Sequence, residues 1–188
     1  MADRTQGVLV VVTGPPASGK TTFATEVATE LGIAVLSKDS FKETLYDLVG
    51  SDDERESLVE EASVRLVLAL ARDQLEAQMT VIVESNFDDE QVEAVRALLD
   101  EAGAGGLQLY CDLSEDEVVE RFRERAASGD RHPGHGDRPE DAEEVRGQLR
   151  SGVWDPLELG VPLERLRADD DESVGRAVRA VRKAAGAT

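Results

Sequence analysis

Cysteine is almost missing from this chain: among 188 residues there is one, Cys111. No intramolecular disulfide can form, a cysteine-rich metal site is excluded, and a reducing cytoplasm fits. Long apolar runs are missing too. The longest strongly apolar stretch near the N-terminus is Val8 to Val12, far short of a membrane span. The opening Met1-Ala2-Asp3-Arg4 lacks the basic flank and apolar core of an export leader. A cytoplasmic location without a membrane partner is the expectation. Positive charge is scarce: 21 basic residues face 40 acidic ones for a net of -19, and of the 21 only Lys20, Lys38, Lys42 and Lys183 are lysine. A surface this negative repels polyphosphate, so nucleic acid is not an expected partner. Excess carboxylate with little lysine suits a salt-rich cytoplasm, and a GC-rich genome would favour arginine in the same way.

What is present is an alternation of two periods. Gly7 to Val12 is a continuous β-branched run, the pattern of a strand covered on both faces. Thr21 to Leu31 then places Phe23, Val27 and Leu31 at spacings of four, the pattern of a helix. Further strands are predicted at Ile33 to Leu36, Thr80 to Val83, Leu107 to Cys111 and Leu163 to Arg167. The helices between and after them are predicted at Phe41 to Val49, Glu56 to Gln78, Glu90 to Ala102, Glu115 to Ala127, Glu140 to Arg150 and Glu172 to Ala185. Such alternation implies one α/β domain over residues 1–188: a three-layer sandwich around a mostly parallel sheet, with ligands at the carboxyl ends of the strands. Ser128 to Pro139, SGDRHPGHGDRP, breaks the pattern with glycine and proline and has no apolar face. It reads as a mobile lid, extending over about 128–150 with the following helix.

Between the first strand and first helix stands Gly14-Pro15-Pro16-Ala17-Ser18-Gly19-Lys20-Thr21, which fits G-x-x-x-x-G-K-[ST] at every fixed position. Glycines let backbone N–H groups turn toward a β-phosphate, Lys20 supplies a cation to the β and γ oxygens, and the Thr21 hydroxyl ligates magnesium. Gly14, Ala17, Ser18, Gly19, Lys20, Thr21 and Thr22 form the candidate nucleotide site, with ATP and Mg2+ as its ligands. No Asn-Lys-x-Asp segment of the guanine-reading kind occurs in the chain.

Asp39 follows the second strand in Ser37-Lys38-Asp39-Ser40-Phe41-Lys42, at the edge of the sheet that carries the phosphate loop. A carboxylate there orients an attacking hydroxyl or takes its proton, and Lys42 one turn later offsets charge on the transferring phosphoryl group. The competing use of Asp39 or Ser40 is as a helix N-cap. Glu84 and Asn86, closing the third strand, are candidates for binding substrate hydroxyls, and Glu84 also for holding magnesium through water. Solvated strand-end and turn roles compete for both. Asp112 after the fourth strand reads better as a charge or cap beside Ser114.

Arg121 and Arg125 lie one turn apart just before the lid, placed for base and phosphate contacts, with a solvated salt-bridged face as the alternative. Arg131 lies inside the lid, where closure would deliver a guanidinium to the transferring phosphate and exclude water. His132, His135 and Asp137 are too loosely set for a metal. They read first as a solvated loop and second as substrate-sensing residues.

Together, the phosphate loop, the Asp39 site and the arginine pair resemble the adenylate-kinase-like branch of P-loop kinases. The likeness is to its small AAA-type ATP-binding proteins, akin to chloramphenicol phosphotransferase, zeta toxin and the kinase half of polynucleotide kinase. The resemblance implies a five-stranded parallel sheet in the order 2-3-1-4-5, a lid between the fourth and fifth strands, a catalytic aspartate at Asp39 and ATP contacts from Arg121 and Arg125. Polynucleotide kinases carry arginine in Asp-x-x-Arg where Lys42 stands, a departure that argues further against nucleic acid. Arg131 to His135 is faintly similar to the Arg-x-Gly-His lid of gluconate kinases. The expected activity is transfer of the γ-phosphate from ATP to a hydroxyl of a small polar metabolite, nucleoside, sugar or antibiotic. A toxin-type or polynucleotide 5′-hydroxyl kinase is one alternative. A nucleotide-dependent ATPase switch with a protein partner is the other.

Overall fold

β1 spans Val8–Thr13, and all six residues of VLVVVT are buried. β-Branched side chains on both faces of one strand require cover on both sides. That cover defines the architecture of the computed structural model, which describes residues 6–50 and 53–186. Met1 to Arg4, on which the expectation about export rests, lie outside the described residues.

After β1 come α1 (Lys20–Leu31), β2 (Ala34–Ser37), α2 (Lys38–Val49), α3 (Asp53–Glu76), β3 (Val81–Glu84), α4 (Asp89–Ala102) and β4 (Gly105–Cys111). α5 (Glu115–Ser128), two short 3-10 turns (Pro133–His135 and Pro139–Asp141), α6 (Ala142–Arg150), β5 (Leu163–Leu166) and α7 (Asp171–Ala184) complete the chain. All pairings in the sheet are parallel, and its order is β2-β3-β1-β4-β5. This is the P-loop NTPase α/β fold. β1 lies between β3 and β4, with Val12 opposite Glu84 and Leu109. The strand ends that carry the candidate site residues are therefore in register.

Alternate residues of β1 feed two cores. Val8, Val10 and Val12 pack with Phe23 and Val27 of α1 and Ala177 and Val181 of α7. Leu9 and Val11 pack with Val67 and Leu75 of α3 and Val95 and Leu98 of α4. Each of these aliphatic side chains contributes about 1.5–3 kcal/mol relative to leaving it in water. A third, smaller cluster joins Val118, Val119 and Phe122 of α5 to Ala142 and Val145 of α6. It anchors both ends of the 128–141 connection. Among the described residues no helix is long and apolar enough to cross a membrane.

One boundary bears on the site. Sequence periodicity starts the second helix at Phe41, whereas α2 starts at Lys38, directly after β2. Its N-cap is Ser37, which makes no capping hydrogen bond with its side chain. Asp39 thus lies inside the first turn of α2.

Candidate active site

The turn between β1 and α1 needs unusual backbone. Gly14 has φ 141°, and a Cβ there would stand 2.6 Å from the Cys111 carbonyl oxygen. Gly19 has φ 87°, and Ala17, which has a side chain, is also left-handed at φ 60°. Positive φ at three positions curls the loop on itself. Lys20 Nζ donates to the Pro15 carbonyl at 2.8 Å, bridging the loop. Burial lowers the pKa of Lys20 below the ordinary lysine value, against the opposing pull of Glu84, Cys111 and Asp39.

Two hydroxyls meet on one carboxylate. Ser37 Oγ donates to Glu84 Oε2 at 2.7 Å, and Thr21 Oγ1 donates to the same oxygen at 3.3 Å. Glu84 is only 3% exposed. One hydroxyl and one carboxylate held together beside a phosphate cradle are hard oxygen donors, and magnesium in such sites is completed by substrate phosphates and water. The residues present fit that ion. Among the described residues no three or more His, Cys, Asp or Glu side chains gather as a metal site.

Asp39 is surrounded by cations. Arg131 Nη2 lies 3.3 Å from Asp39 Oδ2. Burial pushes the Asp39 carboxyl up, but His135, Arg131 and Lys38 outweigh it and hold it below the usual carboxylate range. Lys38 and Lys42 both pair with Glu60 of α3, Lys42 at 3.2 Å. Burial likewise pushes Glu60 up, and the two lysines bring it below its ordinary value. Lys38 lines the cavity described below; Lys42 does not.

From the far side, Arg125 and Arg131 share Asp137. Arg125 Nη2 and Arg131 Nε each lie 2.9 Å from its Oδ2. Arg121 pairs with Asp169 at 2.5 Å. Asp112 pairs with Arg165 at 3.2 Å, while Ser114 caps α5 in a reciprocal capping box with Glu117.

Within the 128–139 segment, Arg131, His132, Gly134, His135 and Asp137 are not the solvated residues that the composition predicts, while Ser128 to Asp130, Pro133, Gly136, Arg138 and Pro139 are exposed. His135 Nε2 is 2.8 Å from Glu43, and its side chain is 6% exposed. His132 Nε2 is 3.1 Å from Asp47, its Nδ1 accepts from the Gly134 N–H, and its ring meets Tyr46 edge-on. Gly134 is buried against the same tyrosine. The partners Asp39, Glu43, Tyr46 and Asp47 recur at helical spacing, so they form one stripe along α2. The segment packs on that stripe through polar pairs, which an apolar pattern does not reveal.

The phosphate loop, the Asp39 side and the three arginines open on one cavity of about 490 Å³. The loop lines it through Pro16, Ala17, Gly19, Lys20, Thr21 and Thr22, and the acceptor side through Lys38, Asp39, Glu84, Ser85 and Asn86. Arg121, Glu124, Arg125 and Arg131 close it. Its wall carries five cationic side chains (Lys20, Lys38 and the three arginines) against three carboxylates (Asp39, Glu84 and Glu124), in a chain of net charge -19. Ser18 and Gly14 support the loop from outside this lining. Sequence reasoning passed over Lys38, Ser85 and Glu60, and it left Asp137 without the clamp role seen here. The position of Lys38 beside Asp39 was the available signal for the first.

A family profile described as an AAA domain matches residues 9–146. A crystal structure described as a candidate kinase of Chloroflexus aurantiacus shares 37% identity over 95% of this chain and 98% of that one, with a TM-score of 0.82. Two more distant structures share the fold. Kti12 of Chaetomium thermophilum in complex with ADP-AlF3 is 21% identical over 94% of this chain and 98% of its own, with a TM-score of 0.65. The Mycobacterium tuberculosis APS kinase CysC in complex with AMPPNP and APS is 20% identical over 95% and 97%, with a TM-score of 0.56. No curated protein matches the sequence.

Proposed function

The chain belongs to the AAA domain family and has a kinase-like P-loop fold, and on that premise we propose that it is an ATP-dependent kinase acting on a hydroxyl of a small polar molecule. The observation that carries this reading is the single cavity in which the phosphate loop, Asp39 and three arginines face one another. A phosphate loop beside a strand-end carboxylate under a closing segment is what phosphoryl transfer needs, since its catalysis is mostly positioning and charge stabilisation.

In this reading the loop amides and Lys20 hold the β- and γ-phosphates. Thr21, with Glu84 through water, would hold magnesium, which when bound neutralises charge on the phosphate oxygens. Asp39, ionised because its pKa is depressed, orients the acceptor hydroxyl. The hydroxyl oxygen bonds to the γ-phosphorus, the bond from phosphorus to the β–γ bridging oxygen breaks, ADP leaves with that electron pair, and the hydroxyl proton passes to Asp39. Arg125 and Arg131 stabilise the equatorial oxygens. The family's Chloroflexus aurantiacus relative, described as a candidate kinase, supports the same activity class.

The test is ADP release with ATP and magnesium, with and without nucleosides, sugars, polyols, aminoglycosides, amphenicols and 5′-hydroxyl oligonucleotides. Asp39→Asn is expected to lower acceptor-stimulated turnover about 10²–10⁴-fold while nucleotide affinity stays within about threefold. Equal losses in both would remove Asp39 from the chemistry. Hydrolysis that ignores every acceptor and survives the substitution would replace the kinase reading with an ATPase.

A further inference from the structure

β3 ends in Glu84-Ser85-Asn86, and each of these residues lines the cavity on the acceptor side. Glu84 accepts from Thr21 and Ser37 through its Oε2. The side chains of the next two make no hydrogen bond among the described residues. Ser85 is 4% exposed, and its Oγ is covered and has no hydrogen-bond partner among the described residues. Its backbone N–H is used by the Val12 carbonyl at 3.3 Å, so the strand end itself is fixed. The half-buried Asn86 amide likewise makes no hydrogen bond among the described residues. Buried polar groups in native proteins are nearly always paired, because leaving one unpaired forfeits the hydrogen bond it had to water. The Ser85 hydroxyl is such a group on the cavity wall that also carries Asp39, and the half-buried Asn86 amide beside it is open to a ligand.

The cavity also lacks something. Small-molecule sites are usually walled mainly by apolar and aromatic side chains. Among the described residues, none of Phe, Tyr, Trp, Leu, Ile or Val lines this one. The nearby rings are committed elsewhere: Phe87 and Phe41 to the core against α3 and α4, and Tyr46 to Gly134 and His132. An aromatic acceptor would find no apolar wall for its ring, and its ring would leave the hydrogen-bonding groups of Ser85 and Asn86 unmet. An aliphatic molecule with neighbouring hydroxyls would satisfy them.

We propose that the phosphate acceptor is a compact aliphatic polyhydroxy compound, a polyol, sugar or sugar acid, whose non-reacting hydroxyls bond to Ser85 and Asn86 while the reacting one faces Asp39. The proposal rests on the kinase reading above and narrows its acceptor. It makes Ser85 and Asn86 specificity residues, since a site built to bond hydroxyls rejects analogues that lack them.

The experiment compares kcat/KM for polyols, sugars and sugar acids with that for nucleosides and amphenicols, in wild type, Ser85→Ala and Asn86→Ala, together with thermal unfolding of each. The expected result is use of the aliphatic acceptors only. For each variant the acceptor KM should rise roughly three- to tenfold, with KM for ATP unchanged. Tm should not fall in Ser85→Ala, because the hydroxyl removed has no partner among the described residues. Comparable kcat/KM on aromatic acceptors would overturn this inference and leave the kinase reading standing. A lower Tm with unchanged acceptor KM would overturn it too, by making both side chains structural. If no acceptor of either class stimulates ADP release, the kinase reading fails and the inference with it.

Discussion

Cys111 lies directly beneath the phosphate loop, with its carbonyl oxygen 2.6 Å from where a Gly14 side chain would begin. Burial raises its thiol to about 12, Lys20 opposing that rise and Glu84 adding to it. A raised thiol pKa means a neutral sulfhydryl at any pH below that value, and the thiolate is the reactive form. The native protein is therefore expected to resist a maleimide at pH 8 and to react stoichiometrically once unfolded in guanidinium. Rapid native labelling would show that the loop opens far enough to expose β4. Residues of this kind divide sharply in legibility. Lys20 and Thr21 could be placed from spacing alone, in the phosphate loop, because the loop is a local turn. Lys38 could not, because its place in the cavity depends on α2 starting three residues earlier than periodicity indicates.

At the level of elements, the pairing between α2 and the 128–139 segment matters most. Four α2 residues, Asp39, Glu43, Tyr46 and Asp47, receive Arg131, His135, Gly134 and His132. Gly134 is there because a Cβ would come within 3.0 Å of the Tyr46 ring. Gly134→Ala is expected to loosen this docking, lowering kcat several-fold while ATP affinity, measured by equilibrium binding, stays unchanged. Unchanged kcat would mean that the docked segment does not act as a lid. The segment's lack of apolar residues suggested solvent, and for Arg131, His132, Gly134 and His135 that inference failed for a physical reason. Polar docking leaves no hydrophobic period, and its partners are about 90 residues away in sequence. The capping of α5 by Ser114 and Glu117, by contrast, is contained within four residues.

Across the whole molecule, 40 acidic residues oppose 21 basic ones. Self-repulsion at that imbalance destabilises the compact state, while ion pairs such as Arg146 with Glu115 and Asp116 work against it. Exposed pairs are worth little individually, so repulsion should dominate. Raising NaCl from about 0.1 to about 1 M shortens the screening length from about 10 to about 3 Å. Tm is then expected to rise by about 2–8 °C, measured by calorimetry. A falling Tm would show that the ion-pair networks outweigh the repulsion. The charge is also unevenly spread: cations outnumber carboxylates on the cavity wall although carboxylates prevail nearly two to one in the chain.

By itself, the sequence determined the order of strands and helices, the parallel class of the sheet and the position of the phosphate loop. All of these arise from short-range periodicity or from a turn whose backbone needs glycine. Only the tertiary structure decided that Glu84 would take two hydroxyls and Asp137 two arginines, that the 128–139 segment would lie on α2, and that Ser85 and Asn86 would stand unpaired in the cavity. The outcomes at Glu84, Ser85 and Asn86 depend on which strand ends the sheet brings side by side, and those at Asp137 and the 128–139 segment on how α5 and α2 flank the sheet. The β2-β3-β1-β4 order joins residues far apart in the chain through backbone pairing, and backbone pairing carries no mark in the side chains it brings together.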